Sequence, residues 1–153
     1  MKKPKFSLTV KDKAIVNLIE KSSHKTLAAW AIDCVERILI YFDEAYPEDH
    51  RPQQAIAVLR TWINTGKFSM AVIRKAALDS HAAAPREVGR DNAARSAARA
   101  AGQAVATAHV PTHSIAAANY ALQAIHRAAS AFNAEDNVAK ERAWQYQHLV
   151  ELQ

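Results

Sequence analysis

The 153-residue sequence is poor in residues that break helices or cross-link a fold. It has three glycines, five prolines and one cysteine. So few chain breakers disfavour an architecture of short strands joined by turns. The lone cysteine, Cys34, excludes an internal disulfide and is typical of a reducing compartment. Aromatic residues make up only 7% of the chain although half of it is apolar, so alanine supplies much of the apolar content.

Several motif classes are also missing. No apolar run of about 18 residues is free of charge, so we predict no membrane-spanning helix. The lysine-rich N-terminus lacks the apolar core of a signal peptide, so we interpret the chain as mature and cytoplasmic. The metal, phosphate-loop and dinucleotide-binding motifs are absent. We therefore predict no cofactor, no bound metal and no enzymatic activity.

The charge that is present is mostly positive, with a formal net charge of +5. Basic residues cluster at the N-terminus and in the middle of the chain: Lys2, Lys3, Lys5, Lys11 and Lys13, then Arg86, Arg90, Arg95 and Arg99. We interpret the first cluster as a solvated end, with residues 1–10 extended or flexible. In the second cluster Asp91 can pair with Arg95. No helix-turn-helix or aromatic stacking pattern accompanies these charges, which disfavours nucleic acid as a partner.

Apolar residues recur at helical spacing along almost the whole chain. The pattern predicts an all-α fold, a single domain over residues 1–153 built as a compact bundle of six to seven helices. The stretch 25–43 is apolar on most sides, so we place it at the centre of the bundle. The predicted helices cover 11–22, 25–43, 52–65, 70–83, 88–109, 113–132 and 135–152.

Residues at the predicted helix ends have the chemistry of caps. Pro52 suits the first position of the third helix, and Gly66 a left-handed cap at its end. Ser69 and Thr112 suit N-caps of the next helices, and Asp49 can accept a hydrogen bond from amides of the third helix. Within the alanine-rich fifth helix, four small residues fall four apart and should let a neighbour pack closely. They are Ala94, Ala98, Gly102 and Ala106.

Three histidines form the first candidate site. His81 and His109 each continue an apolar stripe near the end of a helix, which predicts that they are at least partly buried. His113 follows His109 after a break at Pro111. We hypothesise that this break joins the three imidazoles with an acid of the second helix in a buried polar network. His109→Ala should then destabilise the fold clearly, and His113→Ala slightly.

Two other interpretations of the same histidines stay open. Three imidazoles are candidate ligands for a first-row metal, and they could also line a pocket for a small ligand. Histidines near helix C-termini interact favourably with the helix dipole, which favours the structural interpretation over the metal.

Charges on the apolar second helix form the next candidate cluster. Asp33, Glu36 and Arg37 need partners if they are buried. Asp33 and Arg37 can pair at i, i+4, and the candidate partners on other helices are Arg60, His81 and His109. Such a cluster either fixes helix register or serves as an acid–base or ligand site. Cys34 lies on the apolar face, so we interpret it as a core residue.

An acidic loop forms the last candidate site. The segment from 43 to 51 joins the second and third predicted helices and contains five candidate partner-contact residues: Asp43, Glu44, Glu48, Asp49 and Arg51. The functional interpretation is an exposed, charged contact for another protein.

Four segments together resemble the Imm-5-like immunity proteins of bacterial polymorphic toxin systems. They are AAWAIDCVERIL (28–39), DHRPQQAIAVLRTWINTG (49–66), ALDSHAAAPREV (77–88) and AARAAGQAVATAHVPTHSIAAANYA (97–121). The resemblance covers roughly residues 25–130 and implies an all-helical cytosolic bacterial protein that binds and neutralises a cognate toxin.

The basic charge qualifies this implication, because immunity proteins for basic nuclease toxins are usually acidic. The resemblance is therefore compatible with a toxin that presents an acidic surface, or with a locally acidic contact patch around Asp43, Glu44, Glu48 and Asp49. The alternative function is a small-ligand- or metal-binding helical bundle, or an enzyme, that uses Asp33, Glu36 and the three histidines. The sequence does not indicate the oligomeric state.

Overall fold

The computed structural model describes residues 2–7, 12–84 and 92–153, and all regular secondary structure in these ranges is helical. The predicted all-α class is confirmed. Eight helices follow one another in these ranges: α1 (Lys13–Lys21), α2 (His24–Glu36), α3 (Ile40–Ala45), α4 (Arg51–Thr65), α5 (Met70–Ala83), α6 (Ala93–Ala106), α7 (His113–Ala128) and α8 (Ala134–Glu151). The predicted count of six to seven is too low because the segment 25–43 forms two helices.

A tight turn over residues 37–39 separates α2 from α3. The amides of Tyr41 and Phe42 bond to carbonyls three residues back, at 3.2 and 2.9 Å. Such i→i+3 bonds tighten the chain relative to an α-helix. Arg37 and Leu39 keep right-handed backbone angles, and the segment contains neither glycine nor proline. The break therefore has no local signature in the sequence.

Several predicted caps are confirmed. Gly66 has a φ of 68° at the end of α4, and the Ser69 side chain accepts from the amide of Val72. Asp49 Oδ1 accepts from the Arg51 amide at 3.1 Å. Two predictions were wrong in detail: α4 begins at Arg51, which makes Pro52 its second residue, and the Thr112 side chain forms no capping bond.

The N-terminal segment and the region before α6 are described only in part. Residues 2–7 form no helix or strand, and the Phe6 ring lies 5.5 Å from that of His126. Asn92 caps α6 by accepting from the amide of Arg95. The predicted start of this helix at 88 lies outside the described residues. So do the predictions for Lys11, Pro85, Arg86, Arg90 and Asp91.

The core has two parts. The larger is rich in alanine and lies where α6 packs against α2, α3, α4, α5 and α7. The smaller surrounds Trp30 and Leu149 and includes Ile15 and Ile19 of α1. Cys34 is fully buried in it, as predicted for a core residue. Burial raises the pKa of its thiol well above the usual value, and Glu141 and Asp33 add to the increase.

The row of small residues on α6 allows close packing, as predicted. Ala94, Ala98 and Gly102 are buried, and Ala106 is half-buried. At Gly102 the space that a β-carbon would fill is bounded by the His81 ring, only 2.8 Å from the position of that carbon. Within the described ranges, no helix is both long enough and apolar enough to cross a membrane.

Candidate partner-binding surface

The acidic loop and the helix before it form one exposed surface. We define the α3–α4 surface as the residues Ile40, Asp43, Glu44, Tyr46, Glu48, Asp49 and Arg51. Helix α3 ends at Ala45, and the chain then reverses through a turn closed by the Asp49 amide on the Tyr46 carbonyl at 3.1 Å. Pro47 occupies the second position of that turn, where its fixed φ is favourable.

Side-chain contacts fix the shape of the α3–α4 surface. Two guanidinium nitrogens of Arg51 bond to the Asp49 carboxylate, Nε at 3.0 Å and Nη2 at 2.7 Å. These bonds lower the pKa of Asp49, so its carboxylate stays ionised. Gln53 Nε2 donates to Asp43 Oδ2 at 2.8 Å, which links α4 to α3. A partner would therefore meet a loop that is already ordered, which reduces the entropic cost of binding.

The remaining groups of the α3–α4 surface are open to solvent. Glu44 and Glu48 are exposed, and neither forms an ion pair within the part of the chain that the structure describes. Ile40 is 53% and Tyr46 36% exposed, and the Tyr46 ring packs 5.3 Å from that of buried Phe42. A shallow depression of about 690 Å³ lies beside Tyr46, Glu48 and Arg51.

The α3–α4 surface therefore differs in charge from the chain as a whole. It has four carboxylates and one guanidinium, whereas the protein has a net charge of +5. Tyrosine and arginine are enriched among the residues that dominate binding energy at interfaces. A supported aromatic ring beside several carboxylates suits a positively charged protein partner.

The three histidines do not form the single buried network that the sequence predicted. His81 lies against Gly102, and burial lowers its pKa, with smaller contributions from Arg99 and His113. His113 Nδ1 lies 2.8 Å from Gln103 Oε1. The charge of His113 therefore acts on the His81 ring.

His109 was predicted to be partly buried, and this was wrong. Helix α6 ends at Ala106, so the turn that follows directs His109 outward although Val105, one helical turn earlier, is buried. The His109 ring stacks on exposed Phe68 at a centroid distance of 6.0 Å.

Two of the three charged residues of the predicted cluster, Asp33 and Arg37, have partners other than those predicted. Asp33 Oδ2 lies 2.6 Å from His148 Nε2, so the expected Asp33–Arg37 pair does not form. Arg37 instead bonds through two nitrogens to Glu141, at 2.7 and 2.9 Å. Arg60 pairs with Glu36 as predicted. Among the described residues, neither Asp33 nor Glu36 forms a hydrogen bond or ion pair with His81 or His113.

Sequence reasoning missed a row of α8 side chains that contacts α2. The Arg37 guanidinium lies 3.9 Å from the centroid of the Trp144 ring, and Trp144 stacks on His148 at 4.7 Å. Glu141, Trp144 and His148 follow one another at spacings of three and four, which places them on one helix face. That spacing was the available signal. Because these side chains are bonded to Asp33 and Arg37, they link α8 to α2.

In the described ranges, no group of three or more histidine, cysteine and carboxylate side chains converges in a way that could hold a metal ion.

Comparison with known proteins identifies a protein family. A family model described as "Imm-5 like putative immunity protein" matches residues 17–152, nearly the whole chain. Searches of the curated proteins and of the solved structures found no match.

Proposed function

The chain belongs to the Imm-5-like immunity protein family, and on that premise we propose that it binds and neutralises a cognate toxin of a bacterial polymorphic toxin system. Family membership is the observation that carries this proposal. Neutralisation requires only that one protein cover a surface of another, so the chain acts as a binding module rather than an enzyme. It would meet its toxin in the bacterial cytoplasm.

We further propose that the toxin contacts the α3–α4 surface. Two properties support this choice: Glu44 and Glu48 are exposed, and Tyr46 offers an aromatic ring that is already packed against Phe42. The toxin surface would then be basic. A positive toxin and a positive immunity protein can bind because attraction at the contact is short-range, whereas repulsion between distant charges is screened beyond about 8 Å at physiological salt.

The test is rescue of growth in cells that express the toxin encoded beside this gene. The parent should restore growth, and Glu44→Lys combined with Glu48→Lys should abolish rescue. Tyr46→Ala should weaken it by removing an aromatic contact. Glu20→Lys combined with Glu135→Lys is the matched control, because it changes the net charge equally at two exposed sites elsewhere.

The outcomes separate the function from the surface. If the folded parent fails to rescue, the immunity function is wrong for that toxin. If the parent and both charge-reversed variants rescue equally, the function stands and the α3–α4 surface is not the contact. Melting temperatures of all variants show that each one is folded.

A further inference from the structure

A cavity of about 230 Å³ lies between α1, α2, α7 and α8, away from the α3–α4 surface. Its apolar wall consists of Ile15, Val16, Ile19, Trp30, Ile115 and Ala118. Its polar groups are Asp12, Asn119, Arg142 and Gln145. Apolar walls with a few converging polar groups are typical of small-molecule sites. Drug-sized ligands occupy roughly 300–1,000 Å³, so this cavity suits a smaller molecule.

One side-chain oxygen at the cavity accepts no hydrogen bond from the described residues. Gln145 is 1% exposed and lines the cavity. Its Nε2 donates to the Ala118 carbonyl at 3.0 Å, which fixes the orientation of the amide. No described residue donates to Oε1 of the same amide. An amide oxygen can accept two hydrogen bonds, so an occupant with an N–H or O–H group can donate to this oxygen.

The cavity also has a cation that the described residues do not neutralise. Arg142 is half-buried and forms neither an ion pair nor a hydrogen bond within the described ranges. Asp12, also at the cavity, already accepts from the Ala14 amide at 2.9 Å. Asn119 is half-buried and has no hydrogen-bonded partner in the same ranges. Arg142 is therefore the group available to an anion.

We propose that this cavity binds a small aromatic carboxylate that carries a hydrogen-bond donor on its ring. The ring packs against Trp30 and the isoleucines, the donor meets Gln145 Oε1, and the carboxylate pairs with Arg142. Each part of the ligand then interacts with one feature of the cavity. The site is independent of the proposed toxin contact because it shares no residue with the α3–α4 surface.

Indole-3-acetate is a suitable probe because it combines an aromatic ring, an N–H donor and a carboxylate. Titration of the full chain should give saturable NMR shift changes at the Trp30 indole N–H and the Gln145 side-chain amide. Two analogues each remove one feature: indole-3-acetamide lacks the charge, and 1-methylindole-3-acetate lacks the donor. Each should bind about tenfold more weakly, as expected for the loss of about 1.4 kcal/mol.

Variants assign these losses to residues. Arg142→Gln should bind the acetate and the acetamide equally, whereas Lys140→Gln, an exposed change on the same helix, should behave as the parent. Because Arg142 has no described ion-pair partner, the variant should melt near the parent temperature. The proposal is wrong if millimolar probe shifts no cavity resonance, or if Arg142→Gln still prefers the acetate. Toxin rescue plays no part in this test, so the two proposals can fail separately.

Discussion

At the residue scale, the contact between His81 and Gly102 leaves no room for a β-carbon. Glycine to alanine within a helix normally stabilises by up to about 1 kcal/mol. Here the new methyl would lie 2.8 Å from the His81 ring. We therefore expect Gly102→Ala to destabilise the parent by about 1–2 kcal/mol. The same change should stabilise a His81→Ala background, and urea unfolding of the four proteins checks the reversal of sign.

The lowered pKa of His81 predicts a pH dependence of stability. The folded protein binds this proton less readily than the unfolded chain, whose histidine pKa is about 6.5. The unfolded state therefore binds more protons in the window between the two pKa values. The contribution of His81 is fully present above about pH 6.5 and is lost as pH falls through the folded-state pKa. His81→Gln should flatten the decline in free energy of unfolding between about pH 7 and 5 relative to the parent.

The stability losses caused by His109→Ala and His113→Ala should rank in the order opposite to the sequence-based prediction. His109 is exposed, and among the described residues its ring stacks only on Phe68, so His109→Ala should change stability by less than about 0.5 kcal/mol. His113→Ala removes the contact with half-buried Gln103 and should cost about 1 kcal/mol. Thermal melts of both variants decide the order. A larger loss for His109→Ala would contradict the structural interpretation.

Residue burial was predictable from periodicity only as far as a helix continues. The stripe through Ala101 and Val105 predicts the burial of both residues correctly, but the same stripe continues past the end of α6 to His109, which is exposed. The acidic loop could be predicted as a charged segment because its charges all lie between residues 43 and 51 of the sequence. The support of Tyr46 by Phe42 and the position of the Gln145 amide at the cavity depend on three-dimensional packing and had no local signal.

At the scale of elements, helix ends were more predictable than the break inside the second helix. Gly66 and Ser69 cap through bonds to residues within four positions, so the sequence shows both partners. The turn over 37–39 contains Arg37, whose partner Glu141 is 104 positions away. A link between α2 and α8 over this distance could not be assigned from one sequence.

The ion pair between Arg37 and Glu141 should stabilise the packing of α8 on α2. The Glu141 side chain is only 8% exposed, whereas that of Arg37 is 42% exposed. Arg37→Ala leaves a buried carboxylate without its partner. Because Arg37 is partly screened by solvent, we expect a loss of about 1–2 kcal/mol rather than the larger cost of a fully buried pair. Urea unfolding measures it.

Arg60→Ala is the matched control for this change. Arg60 and Glu36 form an ion pair with both side chains about half exposed, at 52% and 46%. Exposed pairs contribute about 0–1 kcal/mol, so the control should lose less than Arg37→Ala. Equal losses would show that Glu141 is not a critical buried charge. Adding Glu141→Gln to Arg37→Ala should recover part of the loss, because the amide is cheaper to bury than an unpaired carboxylate.

At the scale of the whole molecule, the two parts of the core should differ in local stability. Helix α6 is buried among five neighbours and is rich in alanine, which has the highest helix propensity. Helix α1 has nine residues and attaches chiefly through Ile15 and Ile19 to the smaller part. Helices this short are marginal without tertiary contacts. Opening of α1 should therefore require much less free energy than opening of α6.

Hydrogen exchange followed by mass spectrometry tests this gradient. Amides of α6 should exchange only through global unfolding, so their protection should fall with urea as steeply as the global stability does. Amides of α1 should exchange much sooner and with little dependence on urea, because a local opening exposes little surface. Ile19→Ala should accelerate exchange in α1 and leave α6 protected to the extent that global stability is retained. Equal protection in both helices would mean that the bundle opens as a single unit, and that the smaller core is as firmly held as the alanine-rich one.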